Sequence, residues 1–237
     1  MNMKLWQIKA ADEMVTLISS HVGIVKYEFK GSLLDHNMLD EYSDVDISFY
    51  PTESAAPDSA GLFNAMSERF GKIFGYEVHN NPDNDVYRVC FETGWRFDLS
   101  FIYSNENVCP HEKVLPACLI ESTVNQFWYI SSMTLIKLGR KDNLVAAHLA
   151  LELCQLVLVV EMQIRDKKMN TNQHRYGYNE DVPVIHALAK LKRSSSENEI
   201  LDILFLAAEN MDTLSMSILN TPGRVKFLKE MQHKLNL

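Results

Sequence analysis

The sequence predicts an α+β (α/β) domain, a mixed β-sheet flanked by helices, over residues 1–110. An all-α helical bundle domain is predicted over 111–237. Three observations lead there. Period-two alternation of apolar residues is confined to the first half. The second half is filled by long stretches of helical periodicity, with no strand-like alternation left. The charge divides the same way: the 237 residues carry a formal net charge of −8. Residues 1–110 hold 8 Lys and Arg against 17 Asp and Glu, whereas 111–237 hold 15 against 14.

The elements follow in order. Residues 8–21 have the spacing of an amphipathic helix. Ile24–Lys30 alternates as a strand with Val25, Tyr27 and Phe29 on one side, and Val45–Phe49 alternates again until Pro51 stops it. After a loop with Pro57, residues 58–73 read as a helix. Strands near 85–92 and 95–103 follow, joined at Thr93-Gly94 as a tight hairpin. From Pro116 onward, 118–139, 143–168, 184–192, 197–213 and 222–235 read as helices. They are separated at Gly139, Tyr176-Gly177-Tyr178, Ser194-Ser195-Ser196 and Pro222-Gly223. The boundary between the halves is expected near 105–116, around Val108-Cys109-Pro110.

Composition narrows the class. Apolar residues at 46% and charged residues at 23% suit a globular protein with a real core, and exclude disordered, collagen-like and disulfide-dependent miniature folds. The acidic balance argues against a nucleic-acid partner that needs a broad basic surface. Cys90, Cys109, Cys118 and Cys154 form no C-x-x-C and read as reduced, buried thiols. The N-terminus lacks a secretory apolar region. The most apolar stretch, Leu149–Val160, is broken by Glu152 and Gln155 and closed by Glu161, so it reads as a core helix with no membrane role. The expectation is a soluble, cytoplasmic protein.

Three features of the first half carry chemistry. Gly31-Ser32 directly follows the first strand, Asp44-Val45-Asp46 opens the next, and Asp98 sits in the apolar strand Trp95–Phe101. Residues two apart on a strand share a face, so Asp44 and Asp46 project together while Val45, Ile47 and Phe49 take the other side. Asp98 likewise lies opposite Phe97, Leu99 and Phe101. If the two strands are neighbours, three carboxylates converge, and such a cluster implies a bound cation. Hard oxygen donors without His or Cys favour Mg²⁺, and two such ions about 3.5–4 Å apart can clamp an in-line displacement at phosphorus. Gly31 would let backbone approach a phosphate closely, with Ser32 supplying N–H and hydroxyl donors. These parts describe a metal-dependent nucleotidyl-transfer site.

Other residues have plainer readings. Asp35, Asp40 and Glu41 read as solvated loop acids, and Glu92 as an alternative base or a surface hairpin carboxylate. Lys72 has neither the spacing nor the Ser/Thr of a P-loop. Trp128 and Tyr129 read as core. Arg140 and Arg165 fall near helix C-termini, where the macrodipole favours them. The plainer reading of His174-Arg175 is a polar inter-helix loop, and the functional one is a contact to a nucleotide phosphate or a substrate group. Between Ser32 and Asp44 the only basic residue is His36, so a basic phosphate contact must come from elsewhere.

Gly31-Ser32, eleven residues, Asp44-x-Asp46 and then Asp98 resembles the polymerase-beta-like nucleotidyltransferase superfamily. The helical second half resembles its small-molecule members, the aminoglycoside and lincosamide nucleotidyltransferases. These motifs span residues 31–98, under a third of the chain, with Phe127-Trp128 and His174-Arg175-Tyr176-Gly177 as weaker echoes. The resemblance implies that Gly31 and Ser32 hold the triphosphate of ATP or another NTP. It implies Asp44 and Asp46 as Mg²⁺ ligands, with Asp98 as third ligand or general base. The implied partners are a nucleoside triphosphate and a small hydroxylated acceptor, entering at a cleft between the domains. Acidic walls would draw a cationic, antibiotic-like acceptor. Two other classes share the motif's logic: a protein-modifying nucleotidyltransferase of the toxin–antitoxin type, and a nucleotide-binding protein without turnover.

Overall fold

Alternating side chains organise the first half. Val45, Ile47 and Phe49 of β2 (Val45–Pro51) are buried, as are Phe97, Leu99 and Phe101 of β5 (Arg96–Ile102), while Asp46, Asp98 and Ser100 are only half-buried on the opposite face. The structure, a computed structural model, describes residues 6–35, 39–52, 57–81, 83–103, 119–169, 196–220 and 223–237. The chain divides into two compact units, Met1–Val114 and Leu115–Leu237. Among the described residues it holds a mixed five-stranded sheet and six α-helices, an α+β arrangement.

The first unit adds β1 (Ile24–Phe29), β3 (Ile73–Asn80) and β4 (Asn84–Phe91), in the order β1-β2-β5-β4-β3. The β2–β5 pair is parallel and the other three pairs are antiparallel. Helix α1 (Trp6–His21) presents Gln7, Ala10, Ala11, Met14 and Ile18 to the core, the spacing of one helical face. Helix α2 (Ser59–Phe70) starts at Asp58, whose carboxylate accepts from the Ala60 and Gly61 N–H groups, and buries Leu62, Ala65, Met66 and Phe70. Both helices feed one core with the apolar face of the sheet.

Two expectations need correction here. The helix predicted over 58–73 ends at Phe70, because Gly71 takes φ +96°, a conformation that suits glycine. Residues 73–80 then form strand β3, which the sequence reading left out. The hairpin is not a two-residue turn at Thr93-Gly94. Phe91 and Trp95 close a three-residue loop, with Gly94 at φ +86° and Arg88 opposite Asp98.

In the second unit the described residues form α3 (Leu119–Gly139), α4 (Asn143–Met169), α5 (Glu197–Leu219) and α6 (Val225–Lys234). Helix α4 packs against α3 and α5, and α6 against α3 and α5. Ser196 caps α5 in a reciprocal box with Glu199, and Asp212 of α5 accepts the Arg224 and Val225 N–H groups at the start of α6 (2.9 and 3.1 Å). By length and composition α4 is apolar enough to cross a membrane. Even so, it buries Gln163 and Asp166 along with Ala146, Leu153 and Val157. The helix expected over 184–192 lies outside the described residues, as do Val108-Cys109-Pro110 and Cys118.

Phe101 is fully buried, stacked on Phe49 at 5.4 Å and edge-on to Tyr87 at 5.5 Å. Phe101→Ala should therefore cost about 3–5 kcal/mol in urea unfolding. A loss under about 1 kcal/mol would contradict this core assignment.

Candidate active site

The site begins with strand register. The parallel β2–β5 ladder sets Asp46 opposite Asp98, the antiparallel β5–β4 ladder sets Asp98 opposite Arg88, and β4–β3 sets Arg88 opposite Glu77. Directly paired residues point to the same face. One row across four strands therefore reads Asp46, Asp98, Arg88, Glu77. Arg88 bridges two acids: its Nε donates to Asp98 Oδ2 at 3.1 Å and its Nη1 to Glu77 Oε2 at 3.2 Å. His79 Nε2 lies 3.1 Å from that same Glu77 oxygen.

Gly31 and Ser32 open a short 3₁₀ turn, Gly31–Leu33, at the end of β1. The Lys30 N–H donates to the Asp46 carbonyl at 2.9 Å and fastens the turn to β2. Gly31 has φ +54°, and a Cβ there would collide with Asp46 Oδ2. The close approach expected of this glycine is thus made to Asp46 itself. Ser32 is half-buried in the next position of the turn.

Asp44 stands just before β2, outside the ladder that aligns Asp46 with Asp98. Its nearest described cation is Arg96, whose Nη1 is 3.8 Å from Asp44 Oδ2. Arg96 is only 3% exposed and donates to the Tyr42 carbonyl through Nη2, tying the loop before Asp44 to β5. Asp40 braces that loop, accepting from the Tyr42 N–H (2.9 Å) and the Ser43 hydroxyl (2.7 Å). Its role is structural.

The electrostatics single out Asp46. Burial, followed by the nearby Asp44 and Asp98 carboxylates, pushes its pKa up to about 7, against weaker pulls from Arg96 and Arg88. Burial also raises Asp98, while its bond to Arg88 works the other way. Among the described residues Asp46 has no ion-pair partner. Asp44, Asp46 and Asp98 act on one another electrostatically, but among the described residues no three His, Cys, Asp or Glu side chains are grouped to hold a metal ion. Asp44 lies outside the ladder, and Arg88 holds Asp98. The donors nevertheless suit a hard cation, being carboxylate oxygens whose repulsion a cation would relieve. Asp46 with Asp44 or Asp98 are the residues that would hold it.

The remaining candidates fall elsewhere. Glu92 sits in the hairpin loop, ion-paired to Lys72 at 2.8 Å, which removes it from the row of paired charges. Trp128 and Tyr129 are buried. Arg165 Nη2 lies 3.3 Å from Asp166 Oδ1. His36, His174, Arg175, Tyr176 and Gly177 lie outside the described residues. Sequence reasoning missed Arg88, Arg96 and Glu77. Alternation in β4 signals the face of Arg88, but its partner depends on the one-residue difference in the hairpin loop.

No family model matches the sequence, and no curated protein matches it. Among solved structures, an aminoglycoside 6-adenyltransferase from Bacillus subtilis is similar over 95% of this chain and 96% of its own length, at 14% identity and a TM-score of 0.38. A likeness that distant fixes neither the family nor the reaction.

A carboxyl whose folded-state pKa is raised holds its proton more tightly in the native state than in the unfolded chain. Asp46 should therefore make the metal-free protein lose stability as pH rises from about 4 to 7. Thermal melts at about pH 4.5 and 7.5 should show a larger drop for the wild type than for Asp46→Asn. Parallel courses for the two proteins would contradict the assigned environment of Asp46.

Proposed function

We propose that this chain is a Mg²⁺-dependent nucleotidyltransferase that moves a nucleoside monophosphate, AMP first among the choices, from an NTP to a hydroxyl of a small molecule. The observation that carries the reading is Asp46 set opposite Asp98 on neighbouring parallel strands, with Gly31 pressed against the Asp46 carboxylate. Asp46 and Asp44 are the metal ligands, and Asp98 is the third ligand or the general base. The Gly31-Ser32 turn receives the triphosphate through the Ser32 N–H and hydroxyl, while the absence of a side chain at residue 31 makes room for the Asp46 carboxylate. Bound Mg²⁺, one ion or two, supplies charge neutralisation at the phosphates and lowers the pKa of the attacking hydroxyl.

In the transfer the acceptor oxygen attacks the α-phosphorus, a new P–O bond forms, and the bond to the bridging α,β-oxygen breaks. Pyrophosphate leaves, and the hydroxyl proton passes to Asp98 or to water. Partial burial, which raises Asp98, improves it as a proton acceptor. The acceptor is a small hydroxylated compound of the aminoglycoside or lincosamide kind, and the setting is the cytoplasm. A second reading, nucleotide binding without turnover, is favoured by one observation: Arg88 and Arg96 stand beside Asp98 and Asp44 where a transferase would need cations.

Incubation with Mg²⁺, each of the four NTPs and an aminoglycoside and lincosamide panel, followed by mass spectrometry, should reveal a nucleotidyl adduct on a small acceptor. Asp46→Asn should abolish it without unfolding the chain, and Asp98→Asn should slow it about 10²–10⁴-fold. Adducts only on protein would select the protein-modifying alternative. Full activity in Asp46→Asn would remove the assigned centre.

A further inference from the structure

The row of charges across β2, β5, β4 and β3 contains more than the proposed transfer uses. Arg88 touches Asp98 and Glu77 with different nitrogens of one guanidinium, at 3.1 and 3.2 Å. Losing the Nε contact would leave the Nη1 contact intact. The Arg88 side chain is 39% exposed, whereas that of Glu77 is 14% exposed and also faces His79. Arg96 differs: at 3% exposure, with the Tyr42 carbonyl as partner, it is fixed in place. Arg88 thus has an open side and two acidic partners, whereas Arg96 is enclosed.

We propose that Arg88 is a built-in counter-cation of Asp98, which a divalent cation displaces, and that Glu77 retains Arg88 when it is displaced. The inference rests on the metal-dependent reading above. An arginine is permanently charged, so it neutralises Asp98 at any working pH and prevents three mutually repelling carboxylates from facing one another before a cation arrives. Because Glu77 already shares the guanidinium, the exchange strands no charge. The pair Arg88–Glu77 thereby sets how tightly the site takes a divalent ion, acting through Asp98 as partners of metal ligands do. The sheet builds this in, since Glu77, Arg88 and Asp98 are consecutive partners in two antiparallel ladders.

The test is Mn²⁺ binding to the full chain, read as free Mn²⁺ by electron paramagnetic resonance, with and without ATP. Asp46→Asn should weaken binding about tenfold or more. Arg88→Gln should tighten it about tenfold, and Arg88→Lys, which keeps a charge but loses the fork, should tighten it less. Glu77→Gln should weaken it several-fold, because one of the two acids that share the Arg88 guanidinium is then neutral. A packing role gives no opposite signs for the two partners of one ion pair, and a charge effect without displacement leaves Arg88→Lys at the wild-type affinity. If Arg88→Gln does not fold, the signs for Arg88→Lys and Glu77→Gln decide the matter. Unchanged or weaker binding in the Arg88 variants, with binding still lost in Asp46→Asn, overturns this inference alone. No Mn²⁺ binding in the wild type, or none lost in Asp46→Asn, overturns the metal-dependent reading with it.

Discussion

Much of the first unit depends on the parallel pairing of β2 with β5 in a single register. That ladder places Val45, Ile47 and Phe49 beside Phe97, Leu99 and Phe101, and buries all six in the core shared with α1 and α2. Each such side chain contributes roughly 1.5–3 kcal/mol on burial. A slip of one residue would turn the apolar set outward and drive Asp46 or Asp98 into the core, at several kcal/mol per unpaired charge. The packing that selects the register therefore also forces the two carboxylates side by side. Neither acid could be brought there by local propensity alone.

The cost of that juxtaposition is distributed unevenly. Arg88 offsets Asp98 and Arg96 stands near Asp44, whereas Asp46, between them in the electrostatic sense, has burial and two like charges against it. At the edge of the sheet the balance is different. Glu28 is matched by Lys26 and Lys30, both at 2.5 Å, and by the Tyr50 hydroxyl at 3.1 Å. Within this sheet Asp46 is thus left without an ion-pair partner among the described residues. Such a group is where a cation has most to gain.

Alternation placed β2, β4 and β5 and separated their polar and apolar faces, because a period of two is local information. The Gly31-Ser32 turn and Asp98 stood out for the same reason, one by its glycine and the other as an acid in an apolar strand. What could not be read was pairing. Whether Arg88 or Val89 shares a face with Asp98 turns on the loop Glu92–Gly94 having three residues instead of two. The missed strand β3 hid Glu77 and His79 as well. Its Phe74, Tyr76 and Val78 do alternate, but Phe70, Ile73 and Phe74 continue the helical spacing of α2 past Gly71. Arg96 was hidden by a contact 54 residues away, the Tyr42 carbonyl, which no periodicity encodes.

Whether Asp46 anchors a divalent cation can be seen in crystals of the protein grown with Mn²⁺ and an α,β-methylene analogue of ATP, with anomalous scattering used to locate the metal. A manganese peak is expected about 2.0–2.3 Å from an Asp46 oxygen, with Asp44 or Asp98 as a further ligand and the triphosphate against Gly31-Ser32. Arg88 should have moved off Asp98 while still bonded to Glu77. A peak elsewhere, or a nucleotide bound with Asp46 free of metal, would contradict it.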